Sequence, residues 1–195
     1  MISVEVQTQK NLLAFSAGID STALFFILLK QQIPFDIAIV NYHQRQSSND
    51  EVLYAQQLAS KYNKNIYIKD FPKDKKFSEK LARDFRYDFF EEIIKENGYE
   101  SLITAHQLND KLEWFLMQLS SGAGVRELLS MTDVYKKNNI TYYKPLLNYD
   151  KKHLQSFLDS ENIKYFIDET NLDQKYKRNY IRKNFSNEFL EQYKD

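Results

Sequence analysis

The sequence predicts an α/β fold, a parallel sheet with helices on both faces. Two observations carry that expectation. Short apolar runs alternate with helical patterns four times in succession, the signature of parallel βαβ units. The unusual polar segments follow the first, second and fourth strands, and sheets of this kind bind ligands at the carboxyl ends of their strands.

Each element has its own signal. Leu12 to Phe15 is a short apolar run, read as a buried strand. Ser16 to Ser21 is polar, contains Gly18 and reads as a turn, and Thr22 to Lys30 reads as a buried helix. Phe35 to Val40, rich in Ile and Val, is the second strand. Ser48-Asn49-Asp50-Glu51 reads as a capping box opening a helix to about Tyr62. Asn65 to Lys69 is the third strand. Phe77 to Asn97 has helical periodicity and stops at Gly98, one of only four glycines. Ser101 to Ala105 is the fourth strand, and a helix follows over Leu108 to Leu119. After Met131 the pattern changes: a short extended piece ends at Lys144-Pro145-Leu146-Leu147, and helices are expected over Lys151 to Glu161 and Arg178 to Tyr193.

Composition narrows the function classes. The 195 residues suit one domain, and 43% hydrophobic content suffices for a core. The absence of cysteine excludes disulfides, thiolate-held metals and thiol catalysis. Lys+Arg and Asp+Glu both number 27, which argues against a uniformly basic nucleic-acid binder but leaves room for a local basic patch. The start lacks a basic and an apolar leader region, and the longest apolar run, Ala23 to Leu29, is far below the roughly 20 residues of a membrane helix. The expectation is a cytoplasmic protein without a membrane association.

Three segments can carry chemistry. Ser16-Ala17-Gly18-Ile19-Asp20-Ser21 joins a strand to a helix through small residues, so backbone N–H groups at the helix start can bind an anion. It is neither a Walker A loop nor a dinucleotide loop. Asp20 would repel phosphate unless it holds a cation, so Mg²⁺ is expected there; the plain alternative is an ordinary capped turn. In the second segment, His106, Asp110 and Glu113 recur at i, i+4 and i+7, one face of a helical start. They read either as a solvated face or as a site where carboxylates meet a metal or an ammonium, with the histidine as acid or base. The third segment, Lys175 to Lys183, has five basic residues, two tyrosines and no acid. It reads as a solvated helix face or as a grip for phosphates and unpaired bases. Lys73, Lys75 and Lys76 read as a plain surface loop, Trp114 as core and His153 as structural.

The first loop resembles the pyrophosphate loop of the N-type ATP pyrophosphatases, Ser-x-Gly-x-Asp-Ser, with Ala17 in place of the usual second glycine. The ordered motifs beyond it resemble the tRNA(Ile)-lysidine synthetase family within that group. Asn41-Tyr42-His43-Gln44-Arg45 with Ser48 and Glu51 is similar to its Asn-His-x-Leu-Arg segment. Ala82-Arg83-Asp84-Phe85-Arg86-Tyr87 is similar to its Ala-Arg-x-x-Arg-Tyr, and His106, Asp110 and Glu113 match its His-x-x-x-Asp-x-x-Glu. Ser121-Gly122-Ala123-Gly124 resembles Arg-Gly-x-Gly with Ser121 replacing Arg, and Lys144-Pro145-Leu146-Leu147 resembles Arg-Pro-Leu-Leu. Asp168 to Asp173, then Tyr176, Arg178, Asn179 and Arg182, resembles the last motif.

The resemblance implies an adenine nucleotide alpha hydrolase-like, HUP-type Rossmann-like domain. It also implies a reaction. ATP adenylates the C2 oxygen of the wobble cytidine of tRNA(Ile) carrying a CAU anticodon, and free L-lysine then displaces AMP. In those terms the backbone of Ser16, Ala17, Gly18, Ile19, Asp20 and Ser21 cradles phosphate, and Asp20 holds Mg²⁺. Asp110 and Glu113 receive or deprotonate the lysine ammonium. His106 positions the nucleotide or shuttles protons, and Arg178 and Arg182 contact ATP phosphates or tRNA. Arg45, Arg83, Arg86, Asn171 and Asn179 are candidates for substrate or tRNA contact. The whole chain, 1–195, is expected to be one catalytic domain, a sheet core to about 131 followed by an extension with the basic helix. The family's further C-terminal tRNA-gripping domains are expected to be absent, and a homodimer stays open. The rival readings are another ATP pyrophosphatase of the amidating kind and a non-catalytic tRNA-binding module.

Overall fold

The structure, a computed structural model, describes residues 2–44, 47–72, 77–167 and 177–193. The candidates Arg45 and Asn171, the 168–176 part of the last motif and the Lys73–Lys76 cluster lie outside the described residues.

The elements run β1 (Asn11–Ala14), α1 (Ile19–Lys30), β2 (Asp36–Asn41), α2 (Ser48–Lys61), β3 (Ile66–Asp70), α3 (Glu79–Asn97), β4 (Ser101–Ile103), α4 (Leu108–Leu119) and α5 (Val125–Leu128). Next come β5 (Val134–Lys137), β6 (Ile140–Tyr143), α6 (Lys151–Ser160), α7 (Lys177–Ile181), a π-turn (Arg182–Ser186) and α8 (Asn187–Tyr193). The strands form one sheet in the order β3-β2-β1-β4-β6-β5. All neighbours pair in parallel except β5 with β6.

Both faces of the sheet are covered, because successive strand residues point to opposite sides and both sides are apolar. Leu13, Ile37, Ile39 and Ile103 pack with α1, α2 and α6, while Leu12, Ala38, Val40 and Leu102 pack with α3. Edge-on aromatic contacts around Phe25 fix α1 to its face: ring centroids lie 5.1 Å from Phe35 and 5.8 Å from Tyr62. No helix among the described residues is long and apolar enough to cross a membrane.

The expected fold class stands, with corrections in detail. The stretch after Met131 is not outside the sheet, because β6 pairs with β4 and brings β5 with it. Gly98 ends α3 in the left-handed conformation, φ 67°, as its position suggests. The capping box at Ser48 does not form. Ser47 is the N-cap, and its hydroxyl donates to Glu51 Oε1 instead of accepting a backbone N–H. A capping box does form where Gln107 opens α4. Trp114 is only partly buried, because its indole N–H reaches out to Glu127 O (3.3 Å) and Ser130 Oγ (3.2 Å) and pins α5. The expected helix from Arg178 to Tyr193 is interrupted by the π-turn.

The strand order reverses at β1. The chain leaves β1 for β2 on one side, while β4 lies on the other. Loops that follow β1 and β4 therefore part, which opens a crevice at their carboxyl ends.

Candidate active site

The crevice holds a cavity of about 600 Å³. From the β1 side it is lined by Ser16, Gly18, Ile19, Asp20 and Ser21, and from the β4 side by Thr104, His106 and Asp110. The C-terminal segment closes it with Arg178, Asn179 and Arg182. Residues far apart in sequence, singled out for their chemistry, thus meet in one place.

The loop after β1 is shaped by hydrogen bonds of its own. Ser16 N–H donates to Ser21 Oγ (3.2 Å), and Ser21 Oγ donates to Gly18 O (3.3 Å). Phe166 N–H donates to Ala17 O (2.9 Å), so the strand-like piece at 166 braces the loop from outside. Gly18 is the N-cap of α1 and offers no side-chain cap. The first N–H groups of α1 are therefore left for an anion, and the helix dipole favours one there.

Ala17, not Gly18, takes the left-handed conformation in this loop, with φ 58°. That geometry costs an alanine about 1 kcal/mol, and the fully buried methyl offsets part of it by packing. Ala17→Gly is expected to keep stability within about 1 kcal/mol of wild type, since relieved strain is opposed by a lost methyl and a freer unfolded chain. Ala17→Val, β-branched and buried at positive φ, is expected to cost about 2 kcal/mol or more. Urea midpoints check both; equal midpoints for Val and Gly would show that the loop carries no strain.

Asp20 sits in the first turn of α1, and its Oδ1 is buried without a hydrogen-bond partner. Burial, then the nearby Asp110, pushes its pKa from 3.8 up to about 7, against the pull of Lys151 and Arg182. A buried carboxylate oxygen with no donor, beside a helix start built for phosphate, is a fitting ligand for Mg²⁺, which binds one or two carboxylates together with substrate phosphates. Among the described residues no cluster of three or more His, Asp or Glu could hold a metal by protein ligands alone. Such an ion would be held by Asp20 together with substrate phosphates.

Across the cavity, Gln107 N–H donates to Asp110 Oδ2 (3.0 Å), which fixes Asp110 at the start of α4. Glu113 is fully buried. It accepts from Arg178 Nε (2.7 Å), Arg182 Nε (2.6 Å) and Arg182 Nη2 (3.0 Å), while Arg178 Nη2 bridges to Asp110. Two carboxylates and two guanidinium groups thus form one charge-balanced cluster that docks α7 on α4. The resemblance offers both carboxylates to the lysine ammonium and leaves open which of them receives it. Glu113 is enclosed by arginines, and of the pair only Asp110 lines the cavity.

His106 accepts from or donates to Thr104 Oγ1 through Nδ1 at 2.9 Å. Burial and the cations Lys144, Arg178, Arg86 and Arg83 lower its pKa from 6.5 to about 3. A neutral imidazole at neutral pH suits a hydrogen bond to a nucleotide better than a proton shuttle between charged states. Arg86 lines the cavity, while Arg83 lies on the exposed side of α3 over the Tyr87 ring. Asn179 is buried at the cavity wall. Ser121, standing where the resemblance expects arginine, accepts from Lys177 Nζ (3.3 Å).

The sequence reading missed two positions. Lys151, at the start of α6, lines the cavity and acts on Asp20. Asn109 ties three elements together: its Oδ1 accepts from Lys151 N–H (3.2 Å), and its Nδ2 donates to Asn187 Oδ1 (3.3 Å). A lone lysine and a lone amide carry no spacing signal, so only their proximity in space reveals them. His153, read as structural, donates its backbone N–H to Oδ1 of Asp150 (2.8 Å), the residue that caps the start of α6.

Comparisons with known proteins bear on the family and the fold. A Campylobacter jejuni protein named tRNA(Ile)-lysidine synthase is 53% identical over 184 residues, covering 94% of this chain and 57% of that protein. A Helicobacter hepaticus protein of the same name is 46% identical over 193 residues, covering 96% of this chain and 46% of that one. The chain thus spans about half the length of the curated relatives it matches. Among solved structures, a U34-tRNA thiolase from Methanococcus maripaludis matches with a TM-score of 0.67 at 16% identity, covering 98% of this chain and 74% of that one, which supports the fold. The family model described as PP-loop domain matches residues 2–189, nearly the whole chain, and the chain therefore belongs to the PP-loop family.

Proposed function

We propose that this chain carries out the ATP-dependent joining of L-lysine to C2 of the wobble cytidine in tRNA(Ile). The observation that carries the reading is the cavity itself. It brings an uncapped helix start and an unpartnered buried carboxylate together with the Asp110–Arg178–Arg182 cluster. An amidating ligase needs a source of ammonia, and a thiolase needs sulfur chemistry that a chain without cysteine cannot supply by itself.

In this reading the cytidine C2 oxygen attacks the α-phosphorus of ATP, the bond to the β-phosphate oxygen breaks, and pyrophosphate leaves. The N–H groups at the start of α1 stabilise the charge gathering on the departing group. Lys151 and Arg182, both on the cavity wall, add positive charge for the phosphates. Asp20 would hold Mg²⁺, whose chemistry is to neutralise phosphate oxygens. The lysine ε-ammonium gives a proton to the Asp110 carboxylate, and the free amine then attacks C2; the C2–O bond breaks, and AMP leaves with that oxygen. Asp110 is the carboxylate that meets the ammonium, and Glu113 anchors Arg178 and Arg182. Neutral His106 offers a hydrogen bond beside the reacting base.

A two-stage assay tests this. With α-labelled ATP and tRNA(Ile) but no lysine, label should build up on the RNA and pyrophosphate should be released; adding lysine should discharge the label as AMP. Label that discharges with ammonia but not with lysine would favour the amidating rival. Binding of tRNA with no label at all would favour the non-catalytic one.

A further inference from the structure

We propose that the segment 164–166 is a strap that holds Ala17 in the conformation ATP binding needs, and that Tyr54 and Tyr165, which clip the strap in place, are positioning residues for the phosphate loop. The proposal rests on the ATP-binding step of the reading above and deepens it by naming what keeps the loop in shape.

The loop needs holding. Ala17 has φ 58°, a left-handed backbone that an L side chain adopts only at a penalty. Such a conformation lasts where the surroundings enforce it. The hydrogen bonds inside the loop join Ser16, Gly18 and Ser21 and do not involve Ala17. The enforcing contact comes from outside. Phe166 N–H donates to Ala17 O (2.9 Å), and Gly18 pairs with Phe166 in an isolated parallel bridge. A trans peptide sets its C=O and N–H on opposite sides, so fixing the Ala17 carbonyl also fixes the direction of Gly18 N–H. If Ala17 relaxed to negative φ, that peptide would turn, and the donors at the start of α1 would be aimed elsewhere.

The strap is clipped to two helices. Tyr54, buried on α2, donates its hydroxyl hydrogen to Lys164 O (2.6 Å). Its ring centroid lies 5.8 Å from that of Phe166, and Lys164 Nζ stands 4.9 Å from the Phe166 centroid and 5.7 Å from the Tyr54 centroid. Tyr165 reaches α6 instead. Its hydroxyl donates to Asp159 Oδ1 (3.0 Å) and accepts from Gln155 Nε2 (3.2 Å). Phe166 lines the cavity, but neither tyrosine does. Each therefore acts on ATP only through the strap.

This link has a consequence that plain packing lacks. Glycine adopts positive φ without the alanine penalty. With Ala17→Gly the loop keeps its shape with less help, so loosening the strap should then matter less.

The test titrates the 195-residue chain with Mg²⁺ and the α,β-methylene analogue of ATP, which resists cleavage between those phosphates, with thermal melting in parallel. Tyr54→Phe, which deletes one hydroxyl, is expected to weaken binding about fivefold. Tyr165→Phe, half-buried on the other side of the strap, should shift affinity the same way even if Tyr54→Phe melts early. Adding Ala17→Gly to either should bring affinity back to within about twofold of Ala17→Gly alone. Folded Tyr54→Phe and Tyr165→Phe with wild-type affinity would make both tyrosines ordinary packing and overturn the strap, leaving the proposed function intact. A loss as large with Ala17→Gly as without it would show that the tyrosines do not act through Ala17, and would overturn it as well. A wild-type chain that does not bind the analogue would overturn the strap and the ATP step of the proposed function together.

Discussion

Asp20→Asn is expected to remove most ATP cleavage while making the ligand-free chain more stable above neutral pH. The catalytic loss follows because Asn lacks the anionic oxygen that would hold Mg²⁺ against the phosphates; deleting one group that supports transition-state charge costs on the order of 100–1000-fold. The gain in stability follows from linkage. Asp20 has a folded pKa of about 7 against an ordinary 3.8, so between those values the folded chain binds more protons than the unfolded one. Its contribution to stability therefore falls as pH rises from about 4 to about 7. His106 works the other way. Its folded pKa of about 3 lies below 6.5, so stability is lost as pH falls from 6.5 toward 3. In wild type the two slopes oppose each other over most of that window. Asp20→Asn should leave the His106 slope alone, giving a urea midpoint that climbs steadily from pH 4 to 6.5. A variant with the wild-type pH profile, or with near-normal activity at low Mg²⁺, would contradict the role given to Asp20.

Glu113→Ala is expected to loosen the C-terminal helices and silence the site together. Glu113 is fully buried and takes three hydrogen bonds from two arginines. Removing one member of a buried ion cluster costs about 3–5 kcal/mol. Here the Arg178 side chain is 38% exposed and can turn to water, so about 2–3 kcal/mol is the better figure. α7 has five residues and cannot persist as an isolated helix, so its docking on α4 depends on this cluster. Urea denaturation and limited proteolysis near residue 177 measure the loosening. Asp110→Ala, by contrast, should keep the Glu113 anchor and raise the lysine requirement more than the ATP requirement. Unchanged stability and activity in Glu113→Ala would reduce the cluster to surface decoration.

The repeating core was legible because each buried strand is a compact apolar run and each following helix has its own periodicity. Leu12 and Leu13 serve opposite faces of the sheet, so both had to be apolar. The place of β6 was not legible. Ile140-Thr141-Tyr142-Tyr143 is short, and no local signal says that it inserts between β4 and β5. The π-turn was hidden as well: Arg182 to Ser186 contains no glycine or proline to announce a break. Among site residues, charged ones at helical spacing could be read, since Asp110 and Glu113 share a face by geometry alone. Their partners could not, because ion pairing with Arg178 and Arg182 spans 65 to 69 positions of sequence. Asn109 and Lys151 were silent for the same reason.

The proposed function has this cavity join an amine to an RNA base at the expense of ATP. It is tested most directly by incubating the chain with ATP, labelled L-lysine and tRNA(Ile) bearing a CAU anticodon, then digesting the RNA and counting products. Labelled lysine should appear at the wobble nucleoside, with one pyrophosphate and one AMP released per lysine, and none of this with a wobble uridine. ATP cleavage that proceeds equally without lysine and RNA, or lysine that never enters the nucleoside while AMP accumulates, would contradict it.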